Sequence, residues 1–198
     1  ILLLADDSYP PKWSAYDLLA QSEHGEGNVS VLLSEDEEVI KSILKELITV
    51  VEASPRKEII INNLENNGLI IKTNSRQESI DMINLVAPEH LQLNIKDGRH
   101  ILNDINNAGA IFIGGYSPVP LGDYCAGTNH VLPTAGYAKT YSGLSTLDFL
   151  KVMDVLEVTK EGLEQLLPTL KSLTDYEGLP GHYDCAAERV KKHSVKRK

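Results

Sequence analysis

The sequence predicts an α/β fold, a partial doubly wound, mostly parallel sheet flanked by helices. Short continuous apolar runs, ILLLAD at 1–6, VSVLL at 29–33, LIIKT at 69–73 and AIFIG at 110–114, suit strands buried on both faces. Segments with apolar residues three and four apart lie between them. Strand and helix therefore alternate, as they do where crossovers cover a parallel sheet. At 198 residues and 42% hydrophobic content, the chain holds one sizeable core with an appendage, or two small ones.

Taken in order, 1–6 is the first buried strand, and Pro10–Pro11 then open a helix in which Trp13, Tyr16, Leu19 and Ala20 share a face before Gly25 stops it. After the strand at 29–33, Ser34 and Glu37 form a capping box for a helix with Ile40, Ile43, Leu44, Leu47, Ile48 and Val51 as its apolar stripe. Pro55 opens a further helix through Leu64, followed by the strand at 69–73. Ser75 and Glu78 form a second box, and Pro88 ends the helix they start. LQLNI at 91–95 alternates as a strand, 98–107 reads as a short helix, and 110–114 is the last strand before a long loop. Beyond the loop the pattern predicts a short helix from Ser145, a strand at VMDVLEV, a helix from Thr159 to Leu173 interrupted by Pro168, and a last helix.

Residues 115–149 have neither helical nor strand period, and an ordered loop of that length is usually functional. Its glycines and prolines favour one shape, and Asp123 and His130 are its groups suited to chemistry. An Asp in a turn and a His satisfied by backbone are the plainer reading. Gln21 and His24, three apart near a helix end, leave one face and can converge on a metal, although the helix dipole also favours a His there. Glu89 and His90 form an adjacent titratable pair at a helix-to-strand junction, suited to proton transfer or, equally, to a solvated Glu beside a capping His.

Composition narrows the classes. The net charge of −9 includes six Lys or Arg at 189–198, which leaves the rest of the chain at −15 and argues against a nucleic-acid surface. No apolar run approaches the ~20 residues of a membrane span. The two cysteines, Cys125 and Cys185, lack metal-ligand spacing and point to a reducing, cytoplasmic setting. There is no glycine-rich dinucleotide fingerprint, phosphate loop or internal repeat.

The segments DLLAQSEHG, APEHLQL, AGAIFIGGYSPVPLGDYCAGTNHVLPT, YSGLSTLDF and EGLPGH, in this order, resemble histidinol dehydrogenase, the enzyme of the last steps of histidine biosynthesis. The resemblance implies an incomplete Rossmann-like α/β domain at 1–144 and a small, mostly helical dimerisation region at 145–198. It implies oxidation of L-histidinol to L-histidine through the aldehyde, with NAD and Zn²⁺ as cofactors, in a homodimer. By the same likeness Gln21, His24, Asp123 and His182 hold the metal, with His182 supplied across the dimer interface. Glu89 and His90 are the implied catalytic pair. Gln21, His24, His90, Asp123, His130, Glu177 and His182 are the implied substrate contacts, Glu177 holding the substrate's amino group.

The family's chain continues upstream of Ile1 with most of the cofactor contacts. This chain is therefore expected to bind zinc weakly alone, to be inactive with histidinol and NAD⁺, and to expose a sheet edge or apolar face. Two alternatives stand beside the dehydrogenase: a zinc hydrolase using Glu89 as general base, and a non-catalytic fragment.

Overall fold

The computed structural model describes residues 1–25 and 27–191. Five strands, β1 (Leu2–Ala5), β2 (Ser30–Ser34), β3 (Gly68–Lys72), β4 (His90–Asn94) and β5 (Ala110–Ile113), form one parallel sheet in the order β3-β2-β1-β4-β5. Helices α1 (Pro11–Ser22), α2 (Glu37–Glu52) and α3 (Lys57–Asn67) pack on one face through Leu3, Leu32, Leu18, Ile43 and Ile60. Helix α4 (Arg76–Val86) covers the other through Ile80 and Ile83, against Leu2, Leu4, Leu91 and Leu93. The doubly wound sheet expected from the apolar runs is present.

The chain divides into two compact units, Ile1–Phe149 and Leu150–Lys198. A short helix α5 (Val119–Tyr124) belongs to the first, and α6 (Lys160–Glu177) and α7 (Pro180–Ala187) belong to the second.

Several local expectations are corrected. The cap of α2 is Asp36, whose carboxylate accepts from the Glu38 amide, because Ser34 is buried in β2 and donates to the Ala5 carbonyl. Ser75 does cap α4, but Glu78 reaches back to Asn74. Strand β3 is not buried: it forms an edge of the sheet, with Leu69 and Ile70 exposed. Residues 98–107 contain only a 3₁₀ turn at Leu102–Asp104, and the stretch 152–158 forms no strand. Within the long loop, Pro118 and Pro120 start α5, so Asp123 stands on a helix and not in a turn. Helix α6 continues through Pro168 and stops at Gly178, which adopts φ +71°. Helix α6 thus runs past the expected Leu173 to Glu177, and His182 lies in the first turn of α7. From residue 192 on, the basic tail lies outside the described residues.

Core burial sets where substitution matters. Leu93→Ala, at a fully buried position, should cost about 2–5 kcal/mol in urea unfolding, and Leu85→Ala, on the exposed side of α4, within about 0.5 kcal/mol.

Candidate functional site

Strand β4 is buried along its whole length, so its alternation HLQLN places leucines on one face and His90, Gln92 and Asn94 on the other, both inside the protein. His90, at the amino end of the strand, borders a cavity of about 320 Å³. The C-terminal half of α1 contributes Asp17 and Gln21 to that cavity, four residues apart on one helical face, and the turn that follows the helix contributes His24, whose amide donates to the Gln21 backbone carbonyl. Glu89 adjoins His90, and Asp123 of α5 closes the wall with His130.

One carboxylate oxygen organises this wall. Asp123 Oδ1 lies 3.1 Å from His130 Nδ1 and 3.6 Å from His90 Nε2. The first is a hydrogen bond and the second is too long to be one. Both ring nitrogens of His90 are consequently buried without a hydrogen-bond partner among the described residues. Buried polar atoms are costly to leave unpaired, so a partner from within the cavity would be strongly favoured there. Burial pushes the His90 imidazole below its usual pKa, opposed by the charges of Glu89 and Asp123, so it is a neutral proton acceptor at neutral pH.

Glycines let the wall close. A Cβ on Gly122 would fall 2.5 Å from the Phe112 ring, and one on Gly109 would fall 2.6 Å from the Glu89 carbonyl oxygen. Either position sets the placement of its neighbour, Asp123 in one case and Glu89 in the other.

The sequence-expected residues divide by unit. Gln21, His24, Glu89, His90, Asp123 and His130 meet at the cavity, whereas Glu177 and His182 are exposed residues of the second unit. Asn28 Oδ1 accepts from Gln21 Nε2 at 3.2 Å, which leaves the side-chain Oε1 of Gln21 without a hydrogen-bond partner among the described residues. Among those residues no three His, Cys, Asp or Glu gather into a metal cage. One amide oxygen, one imidazole and one carboxylate on a shared cavity form a partial donor set, chemically suited to Zn²⁺ once a further ligand joins.

A cofactor cradle is a different matter. The cavity lies at the amino ends of β1 and β4, not at the carboxyl ends where open parallel sheets usually bind ligands. At the carboxyl ends of β1 and β2 a second cavity is lined by Asp6, Asp7, Asp36 and Glu38, an acidic setting unsuited to a dinucleotide pyrophosphate.

Sequence reasoning missed Asp17, Asn28, Gln92 and Asn94. The signal for Asp17 was its helical spacing to Gln21 and His24, and for the strand residues the alternate polar positions of HLQLN.

The fold is that of an α/β protein whose cavity gathers Glu89 and His90 beside donor atoms of the type that bind metals. A family model for histidinol dehydrogenase matches residues 1–190. Histidinol dehydrogenase from Methanosarcina mazei is 44% identical over 189 residues, covering 96% of this chain and 43% of the relative. The enzyme of the same name from Caldanaerobacter subterraneus is 45% identical over 179 residues, covering 90% of this chain and 42% of the relative. The crystal structure of histidinol dehydrogenase from Elizabethkingia anophelis superposes with a TM-score of 0.90 at 36% identity, over 96% of this chain and 43% of that one. The chain belongs to the histidinol dehydrogenase family, and it spans less than half the length of these relatives.

Asp17 carries a pH signature. Burial raises its pKa from 3.8 to about 6, opposed by the hydrogen bond from Asn94. The folded state thus holds a proton that the unfolded chain releases, so this contribution to stability is complete below about pH 4 and lost as pH rises through about 6. Urea midpoints across that window should fall less in D17N than in the unsubstituted chain.

Proposed function

We propose that this chain supplies the proton-transfer and metal-binding residues of an enzyme that oxidises L-histidinol to L-histidine through the aldehyde. What supports the reading is the meeting of Gln21, His24, Glu89, His90 and Asp123 at one cavity, in a member of this family. Gln21, His24 and Asp123, with His182 from a second copy of the chain, would hold Zn²⁺, which when bound orients the imidazole and amine of the substrate. The four carboxylates of the cavity, with no Lys or Arg lining it among the described residues, suit a cationic ligand.

An alcohol carbon releases hydride only as its hydroxyl gives up a proton, and neutral His90 is the acceptor. Glu89 and Asp123 then stabilise the resulting imidazolium, as their effect on the ring indicates. Converting the aldehyde to an acid needs water added to its carbonyl and a second hydride removed from the hydrate: Glu89, half-buried beside His90, takes the proton from the water, and a second NAD⁺ would take the hydride. His130 contacts the substrate and Glu177 pairs with its ammonium group. NAD is the hydride acceptor of this reading, and its pyrophosphate is not assigned to the acidic crevice of this chain. The exposed, unpaired Cys125 and Cys185 suit a reducing cytoplasm.

Expressed from its complete reading frame, the protein should produce NADH from L-histidinol and NAD⁺ and lose activity to a chelator. Substituting His90→Asn should lower kcat about 10²–10⁴-fold, while Glu89→Gln should make the aldehyde accumulate. A zinc hydrolase on the same donors would be indifferent to omitting NAD⁺, so turnover without it refutes the dehydrogenase reading.

A further inference from the structure

The cavity residues come from three separate segments: α1 and the turn after it carry Gln21 and His24, β4 begins with His90, and the chain after β5 leads to Asp123. A single buried polar chain ties these segments together. Asn94 donates through Nδ2 to Asp17 Oδ2 at 2.8 Å and to Ser14 Oγ at 3.1 Å, both on α1. Its Oδ1 accepts from Gln92 Nε2 at 2.8 Å, and Gln92 Nε2 also donates to the Gly114 carbonyl at 3.3 Å, just beyond β5. Gln92 and Asn94 are 0% and 1% exposed.

The direction of this chain is set at one end. An amide can turn either way round, but an ionised carboxylate only accepts, so Asp17 requires the Asn94 amide nitrogen to face it. That orientation presents Asn94 Oδ1 to Gln92, whose amide nitrogen is thereby committed to Asn94 and Gly114. Gln92 Oε1 is left buried without a partner among the described residues, a cost accepted by a core that leucine could fill.

We propose that Asp17 is a positioning residue: through Asn94 and Gln92 it sets the polarity of a buried amide relay that holds the α1 ligand face and the α5 approach in register with His90. The inference rests on the reading of the cavity as a cation site. Asp17 itself borders the cavity one turn from Gln21.

The test uses Co²⁺ as a spectroscopic stand-in for zinc, in protein expressed from the complete reading frame. Asn94→Asp sets two carboxylates against each other and should weaken Co²⁺ binding about tenfold or more and alter its visible absorption. The exchange D17N/N94D restores every hydrogen bond: the carboxylate then on β4 still accepts from Gln92, while the bonds to Ser14 and to the amide then on α1 reverse, both now donating to it. It should return affinity to within about threefold of the starting protein and restore the spectrum. Should Asn94→Asp fail to fold, Gln92→Met decides: it removes the link to Gly114 without introducing charge, and should weaken Co²⁺ binding severalfold. Wild-type affinity and spectrum in folded N94D or in Q92M overturns the inference, as does an exchange variant no better than N94D. If the unsubstituted protein binds no Co²⁺, the cation-site reading falls and the inference falls with it.

Discussion

The burial of β4 on both faces is the constraint from which the site follows. A strand with one solvated face would turn His90, Gln92 and Asn94 toward water, where none would need a protein partner. Flanked by β1 and β5 and covered by helices on both sides, this strand has no such face. Its polar residues must be satisfied internally, and they find partners on α1 and at Gly114. His90 alone keeps both ring nitrogens unpaired, because it is the member of the column that borders the cavity. The same burial that makes the strand also makes a neutral imidazole.

The position of the cavity separates this sheet from dinucleotide-binding proteins of its topology. The strand order is the one associated with nucleotide binding at carboxyl ends, yet those ends carry Asp6, Asp7 and Asp36 where a phosphate-binding loop would need backbone amides and glycine. The amino ends, where α1 finishes, gather the residues of the proposed site instead. A helix C-terminus is the negative end of its dipole, which suits a site that gathers carboxylates, imidazoles and a cation. Fold topology alone directs attention to the opposite edge of the sheet from the proposed site.

Much of the fold was legible in the sequence because continuous apolar runs and helical stripes are local signals. The elements that misread were those decided by tertiary context. Ser34 looks like a cap until burial in β2 commits its hydroxyl to the Ala5 carbonyl. LIIKT looks like a core strand, but nothing in its composition states that it stands at an edge. Two prolines suggested an irregular segment around Asp123, where they open a helix. Within the site, Gln21 with His24 and Glu89 with His90 were visible as pairs, but spacing left the plainer readings open. Family resemblance, not periodicity, joined them with Asp123. Asp17 and Asn94, 77 positions apart, meet only in three dimensions.

If the amino-end cavity holds a cation between α1 and α5, facing His90, then anomalous scattering at the zinc edge, from crystals of the zinc-loaded protein, will locate it there. One peak is expected about 2.0–2.2 Å from donor atoms of Gln21, His24 and Asp123. Zinc bound at another place, with those three side chains free of it, would show that the cavity is not the cation site.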